Sequence, residues 1–462
     1  MSAKNPFLTV DRQMVGDIFT GTEVMDNLTV LCDEFGSRFA GTPGEKQAAE
    51  FLAQKMRDYG LQNVHSEPVD YLGWRRGTAT LEIVTPIQKT IPCISLPLSP
   101  AASVEARLVD MGDGAPADFD ARAAEISGNV VLTSSVVAPK GSKRWIHRNE
   151  KYGRSMLARA SAFIFANHYP AYGPATGSVG YKGQVGKIPA ISVSKEDGDF
   201  LRRAVKKYGD VTLRITTTDE LFPATSWNVV GELPGSDHPD EIVMVGSHYD
   251  GHDIAQGAQD PASGTVSVLE AARVLAKYAH PLPRTVRFVF WGIEELGLQG
   301  SKAYAKAHAD EFDRIRFYLN MDAAGAMENR GINLNMWDDL QPVFEAMSAE
   351  MAEPFNVGQS VSAHSDHYPF FMAGVPTGGI ESIPRSLSGR GYGHTKFDTL
   401  DKVSLKNLRE TSAMAARVLL RIAHAENWRA AKRSPESVQA ALDTPEHREE
   451  LAHAARMDEF YG

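Results

Sequence analysis

A chain of 462 residues that is 43% hydrophobic and 23% charged can bury sizeable cores, which excludes a disordered polymer and suggests two or three domains. A formal charge of −10 argues against nucleic acid and anionic membranes as partners. Two cysteines, Cys32 and Cys93, are too few for a disulfide framework or a thiolate metal site; no apolar run approaches the roughly 18 residues of a membrane helix, and the opening MSAKNPFLTVDRQMVGDIF lacks a basic segment followed by an apolar core, so a cytoplasmic location is expected.

Residues 12–62 read as helical, broken at Gly41-Thr42-Pro43-Gly44 and resuming with Ala48, Phe51, Leu52 and Met56 at helix spacing before a stop at Gly60. TATLEIVTP is a strand. From about Leu108 the texture changes: NVVLTSSVV, SAFIFANH and the segment from KIPAISVS to VTLRITT are short apolar strands with one helix among them. This predicts a compact inserted domain over 105–216, between a first catalytic part, 1–104, and a second, 217–425. The second part alternates. EIVMVGSHYD is a strand, and TVSVLEAARVLAKYAH is a helix with Val268, Ala272, Leu275 and Ala279 on one face. TVRFVFWGIEE, IRFYLNMDAAG and PTGGIES are further strands, and LKNLRETSAMAARVLLRIAHAE is a closing helix. Such alternation predicts an α/β fold with a mixed, mostly parallel central sheet flanked by helices. Residues 426–462 form a charged, weakly helical tail.

Three strands end in acids or imidazoles. One ends at His248 with Asp250 two residues later, one at Glu294-Glu295 and one at Asp322. In open parallel sheets the site lies beyond the carboxyl ends of the strands, so these groups should meet there, together with Asp260 from the following loop. A lone acid or imidazole after a strand is more often a cap or a hydrogen-bonding residue, and GIEELG alone reads as a helix start. All of them at successive strand ends, with a further His in GYGHTKFDT, make a common site the better reading. Several carboxylates within a few ångströms repel unless a divalent cation offsets them. Imidazole and carboxylate donors without thiolate suit zinc, and there are enough of them for two ions sharing a bridging carboxylate.

With SHYD, GAQDPASG, WGIEELG, NMDAAG and YGHTKFDT in that order, the chain resembles the co-catalytic di-zinc aminopeptidase and glutamate carboxypeptidase family, the MH-clan zinc exopeptidases. FGSRFAGTPG and SDHYPFFMAGVP fit as well, and GWRRG and HYDGHDIAQGAQD are similar to local motifs of its plasma glutamate carboxypeptidase branch. The resemblance implies two zinc ions per chain, one held by His248, Asp260 and Asp322 and the other by the bridging Asp260 with Glu295 and His394. It implies Glu294 as general base, Asp250 as the carboxylate that orients His248, and an inserted β-rich domain of protease-associated type that roofs the cleft. It also implies a cis bond before Pro261, the residue after the bridging acid. Tyr392, two residues before His394, is a candidate for oxyanion stabilisation or for packing. His364 and His367 are candidates for the substrate pocket, and Arg385 and Arg390 lie in a loop that reads as solvated. The expected activity is metal-dependent hydrolysis of amide bonds in short peptides, as an aminopeptidase or a dipeptidase. A specialised amidase acting on a small non-peptide amide and a one-zinc, glutaminyl-cyclase-like acyltransferase are the alternatives. A homodimer or higher homo-oligomer is compatible with the sequence.

Overall fold

The computed structural model describes residues 5–351, 353–383, 391–428 and 430–462. Two eight-stranded sheets organise the chain. The first runs, edge to edge, Gln62–Arg75, Glu220–Leu233, Leu282–Trp291, Gly235–His248, Ile315–Asn320, Thr377–Ser382, Arg330–Asn333 and Asn356–Gly358. Its centre is parallel: Gly235–His248 lies between Leu282–Trp291 and Ile315–Asn320, and the latter pairs in parallel with Thr377–Ser382. The two strands at the Gln62 edge are antiparallel, so the sheet is mixed. Central strands read as continuous apolar runs because both faces are covered. Helices Ser263–Tyr278 and Leu405–His424 do part of the covering, burying Val268, Leu275, Val418 and Leu419 in one cluster with Val243 and Phe288 of the sheet.

The second sheet is assembled wholly from residues between Ala79 and Thr217, none of whose strands enters the first. It begins at Ala79 rather than near residue 105, because Ala79–Thr85 pairs antiparallel with Thr212–Thr217 on one side and with the edge strand Lys89–Ile91 on the other. The pairs joining Ala102–Asp110, Val130–Ser134, Ala162–Ala166 and Ala190–Val193 are parallel. Helices Arg148–Leu157 and Lys195–Tyr208 pack on it. The insertion is therefore a mixed α/β layer rather than a β-rich one. The tail forms two defined helices, Pro435–Ala441 and Pro445–Tyr461. Among the described residues no helix is long and apolar enough to cross a membrane.

Candidate metal centre

His248 is the last residue of the central strand Gly235–His248, and Leu282–Trp291 and Ile315–Asn320 end on either side of it. Beyond the second of these, Ile293 takes φ +59°, a conformation costly for a β-branched residue, and its side chain is held by burial among Phe39, Trp74, Leu98 and Leu296. The turn lets two adjacent acids diverge. The Asp250 carboxylate fixes it, accepting the backbone N–H of Glu294 at 3.0 Å and that of Glu295 at 3.2 Å. Past the third strand, Asp322 stands beside Gly264, where an added Cβ would sit 1.6 Å from the Asp322 carbonyl; only glycine lets the helix from Ser263 start so close. The loop between is pinned by the buried Arg38 of FGSRFAG. Its guanidinium donates to the carbonyls of Tyr249 (2.8 Å), Gln256 (2.8 Å) and Gly257 (3.0 Å). The Asp260-Pro261 bond is cis.

These elements bring the five predicted ligand residues together. Asp260 stands between two imidazoles, with His248 Nε2 3.5 Å from Oδ1 and His394 Nε2 3.3 Å from Oδ2. On the first side Asp322 Oδ1 is 3.3 Å from His248 Nε2; on the second, Glu295 Oε2 is 3.6 Å from His394 Nε2. Both imidazoles direct Nε2 inward because Nδ1 is engaged. His248 Nδ1–H donates to the Asp250 carbonyl at 3.0 Å, and His394 Nδ1 lies 3.2 Å from the Thr176 carbonyl and 3.1 Å from His252 Nε2. The orienting group on His248 is thus the Asp250 backbone. Its carboxylate, expected in that role, lies 3.7 Å away, beyond hydrogen-bond length, and holds the Glu294-Glu295 turn instead.

The electrostatics are those of crowded acids. Burial, reinforced by the charges of Glu295, Asp366 and Asp322, raises the Glu294 carboxyl well above its ordinary range. Burial and then Asp260 push Glu295 up to about 7. Burial disfavours charge on His248, yet Glu294 and the carboxylates of Asp250, Asp260 and Asp322 outweigh it and hold the imidazole's proton well above the usual range. Asp260 is held well below its usual range, because hydrogen bonds from His248 and His394 overcome its burial. A divalent cation in place of those protons satisfies the same carboxylates. Glu295 Oε1, buried without a hydrogen-bond partner, also fits a donor set built for cations.

Several supporting groups carry no motif of their own. His252 is buried, with Nε2–H donating to Glu295 Oε2 at 2.7 Å. Burial and then Arg148 lower its pKa to about 3, so it is a neutral donor. Asp398, pushed up to about 7 by burial, accepts the backbone N–H groups of Gln259 (2.7 Å) and Asp260 (3.1 Å). Ser365 donates to Asp322 Oδ2 at 2.6 Å and accepts from Asn320 at 2.8 Å, continuing to Tyr318 and Trp291. Arg76 of GWRRG forks onto Asp253, both bonds 2.7 Å, tying the root of the insertion to the residue after His252. His252 and Asp253 sit inside HYDGHDIAQGAQD, a motif that marks the resemblance without assigning either residue a role.

A cavity of about 1210 Å³ opens over the cluster, lined on one side by His248, Asp260, Glu294 and Asp322 and on the other by the insertion. That is at or above the ~300–1,000 Å³ of small-molecule pockets. His364 lines it, stacked 3.7 Å from His147 of the insertion, as does the buried His367. Tyr392 is not on the cavity wall; its ring stacks on Tyr172 of the insertion at 5.2 Å and 9°, which makes it a packing residue. Arg385 and Arg390 lie outside the described residues.

Residues 228–419 match the model of peptidase family M28. Carboxypeptidase Q of Bos taurus is 25% identical over 410 residues, 87% of this chain and 85% of that protein. Leucine aminopeptidase 2 of Trichophyton rubrum is 28% identical, over 79% of this chain and 72% of its own. Among solved structures, a peptidase M28 precursor from Shewanella amazonensis superposes with a TM-score of 0.77 at 26% identity, covering 92% of this chain and 98% of that one. A zinc aminopeptidase from Bacillus subtilis does so at 0.66 and 26%, covering 89% and 97%. Motif order, strand-end geometry, the family model over residues 228–419 and the likeness to solved structures agree, and the chain is similar in sequence and fold to peptidase family M28.

Proposed function

We propose that the protein is a di-zinc exopeptidase that hydrolyses amide bonds of short peptides. The observation that carries the two-ion reading is Asp260, whose two carboxylate oxygens face two separate imidazole–carboxylate sets at 3.5 and 3.3 Å. His248 and Asp322 would hold one ion with Asp260, and His394 and Glu295 the other. The zinc aminopeptidase and the carboxypeptidase among the similar proteins support the metal and the exopeptidase class.

Such a pair of ions supplies polarisation of the scissile carbonyl and activation of water. The chain supplies the rest. Glu294 stands outside both proposed ligand sets and lines the cavity beside His248, Asp260 and Asp322, where its carboxylate can take a proton from water and return it to the leaving nitrogen. The insertion lines the side of the cavity opposite the metal centre.

Metal analysis of purified protein should find two equivalents of zinc per chain. A chelator should remove them together with the hydrolysis of dipeptides, and zinc should restore both. Full turnover by verified metal-free protein refutes the proposal, and a single equivalent at full activity refutes its two-ion part. Profiling free, N-blocked and C-amidated dipeptides then assigns which substrate end is held.

A further inference from the structure

The tail folds because its sequence caps it twice. Ser434 and Thr444 each stand before a proline and an acid, and their hydroxyls accept the backbone N–H of Ser437 and His447. Pro435–Ala441 docks on the catalytic domain, where Val438 and Leu442 pack on Phe371. Arg433, just before it, donates its backbone N–H to the Gly374 carbonyl at 2.8 Å and lays its guanidinium 3.8 Å from the centre of the Trp337 ring. Pro445–Tyr461 docks on the insertion. Met457 joins the cluster of Tyr152 and Met156. The approach is close enough that a Cβ on Gly153 would sit 2.9 Å from His453 and 3.0 Å from Met457. Glu449 pairs with Arg144 at 3.1 Å, and Asp458 takes Lys182 at 2.5 Å and the Tyr181 hydroxyl at 2.8 Å. The segment is thus tied at one end to the catalytic domain and at the other to the insertion.

Between these anchors Leu442, Glu450, Leu451, Ala454 and Met457 line the same cavity that His248, Asp260 and Asp322 line. A peptide long enough to extend from the metal centre across the cavity meets them. We propose that residues 434–461 form the closing wall of the substrate cavity and set the length of peptide it admits. The inference rests on the peptidase reading and adds the element that makes the cavity finite: the tail joins insertion to catalytic domain, and a longer chain has to displace it.

The test is a ladder of alanine-rich peptides from two to six residues, given to the zinc-loaded full chain and to two variants. Glu449→Ala with Asp458→Ala weakens the wall's polar attachment to the insertion without touching a lining side chain; Ala454→Trp fills the cavity from the wall. The native protein should show a fall in kcat/KM at a definite length. The loosened variant should move that fall to longer peptides, gaining at least tenfold at the first excluded length while keeping its dipeptide rate. The filled variant should move it to shorter ones, relative to its own dipeptide rate. The same ladder is read by calorimetric binding to the Glu294→Gln protein with and without each change, so a variant that folds poorly leaves the other to decide. Ladders that coincide in all three proteins, or a native chain with no length limit, overturn the inference. Absence of hydrolysis by the native zinc-loaded chain overturns the peptidase reading instead, and the binding ladder still judges the wall.

Discussion

Asp250 is fully buried, and its carboxylate accepts two backbone N–H groups, those of Glu294 at 3.0 Å and Glu295 at 3.2 Å. Asp250→Ala strands both donors. A buried polar group left unpaired costs about 1–3 kcal/mol, so the pair should cost about 2–6 kcal/mol. Asp250→Asn keeps one acceptor oxygen and turns an amide donor toward the other N–H, so it should fall between wild type and Ala. Because the turn aims Glu294 and Glu295, activity should fall with stability, and zinc should be lost first from the Glu295 side. Chemical unfolding of the zinc-loaded proteins, metal content and steady-state peptidase rates measure all three. A loss under about 1 kcal/mol in Asp250→Ala, with rate and zinc content intact, would refute the account of the turn.

Glu294→Gln should keep both metal equivalents and lose about 10²–10⁴-fold in kcat, as removal of a general base does; loss of metal with unchanged turnover per ion would make Glu294 a ligand. His252→Ala removes the donor on Glu295 and should weaken zinc binding about 10–100-fold, read by competition with a chromophoric chelator, and unchanged affinity would show that Glu295 needs no such support. Glu241 is held down to about 2 from an ordinary 4.5 by Arg316 and Arg284. A depressed folded-state value contributes stability that is complete above 4.5 and lost as pH falls toward 2. Glu241→Gln should therefore cost about 1–3 kcal/mol at pH 7 and nothing near pH 2, by unfolding at several pH values; a difference that does not shrink in acid contradicts the assignment.

The catalytic layer was readable in the sequence because its central strands are buried on both faces and end in polar residues of conspicuous type. EIVMVGS before His248 and TVRFVFW before Glu294 show this most plainly. The first strand of the insertion, Ala79–Thr85, was readable in TATLEIVTP, but its pairing with Thr212–Thr217, which places it in the insertion, was not. Lys89–Ile91 and Ile94–Ser95 are too short to carry a period, and the 14-residue edge strand Gln62–Arg75, mostly exposed and containing Pro68, looks like loop. The Asp250 assignment failed for a different reason. Sequence places a carboxylate two residues from His248 but does not say which of its acceptors meets the imidazole, and the backbone carbonyl reaches Nδ1 first. His252 and Asp398 lie inside the motifs HYDGHDIAQGAQD and YGHTKFDT, but their roles were not legible because they act on backbone or on another acid, through contacts made only when distant loops meet.

His394 shows why the insertion belongs to the site rather than beside it. The residue takes φ +61°, outside the conformations a non-glycine residue prefers, and it comes from a loop rather than from a strand end. Its ring needs an external reference to present Nε2 toward Asp260 and Glu295. The insertion provides one from a single residue, with the Thr176 carbonyl 3.2 Å from Nδ1 and the Thr176 N–H donating to the His394 carbonyl at 2.8 Å, and His252 Nε2 provides another 3.1 Å from the same Nδ1. Thr176 is fixed in turn from both sides. Arg148 donates to the carbonyls of Thr176 and Ser178 at 3.4 and 3.0 Å, and Arg76, forked on Asp253, reaches the Thr176 hydroxyl at 3.3 Å. Three proposed ligands ride on or just beyond strand ends of the first sheet, and His394 is aimed by the second layer. A layer inserted after the edge strand of the first sheet therefore contributes to metal geometry as well as to cover. Its rotation away from the catalytic layer would open the cavity and release the orientation of His394 in one movement.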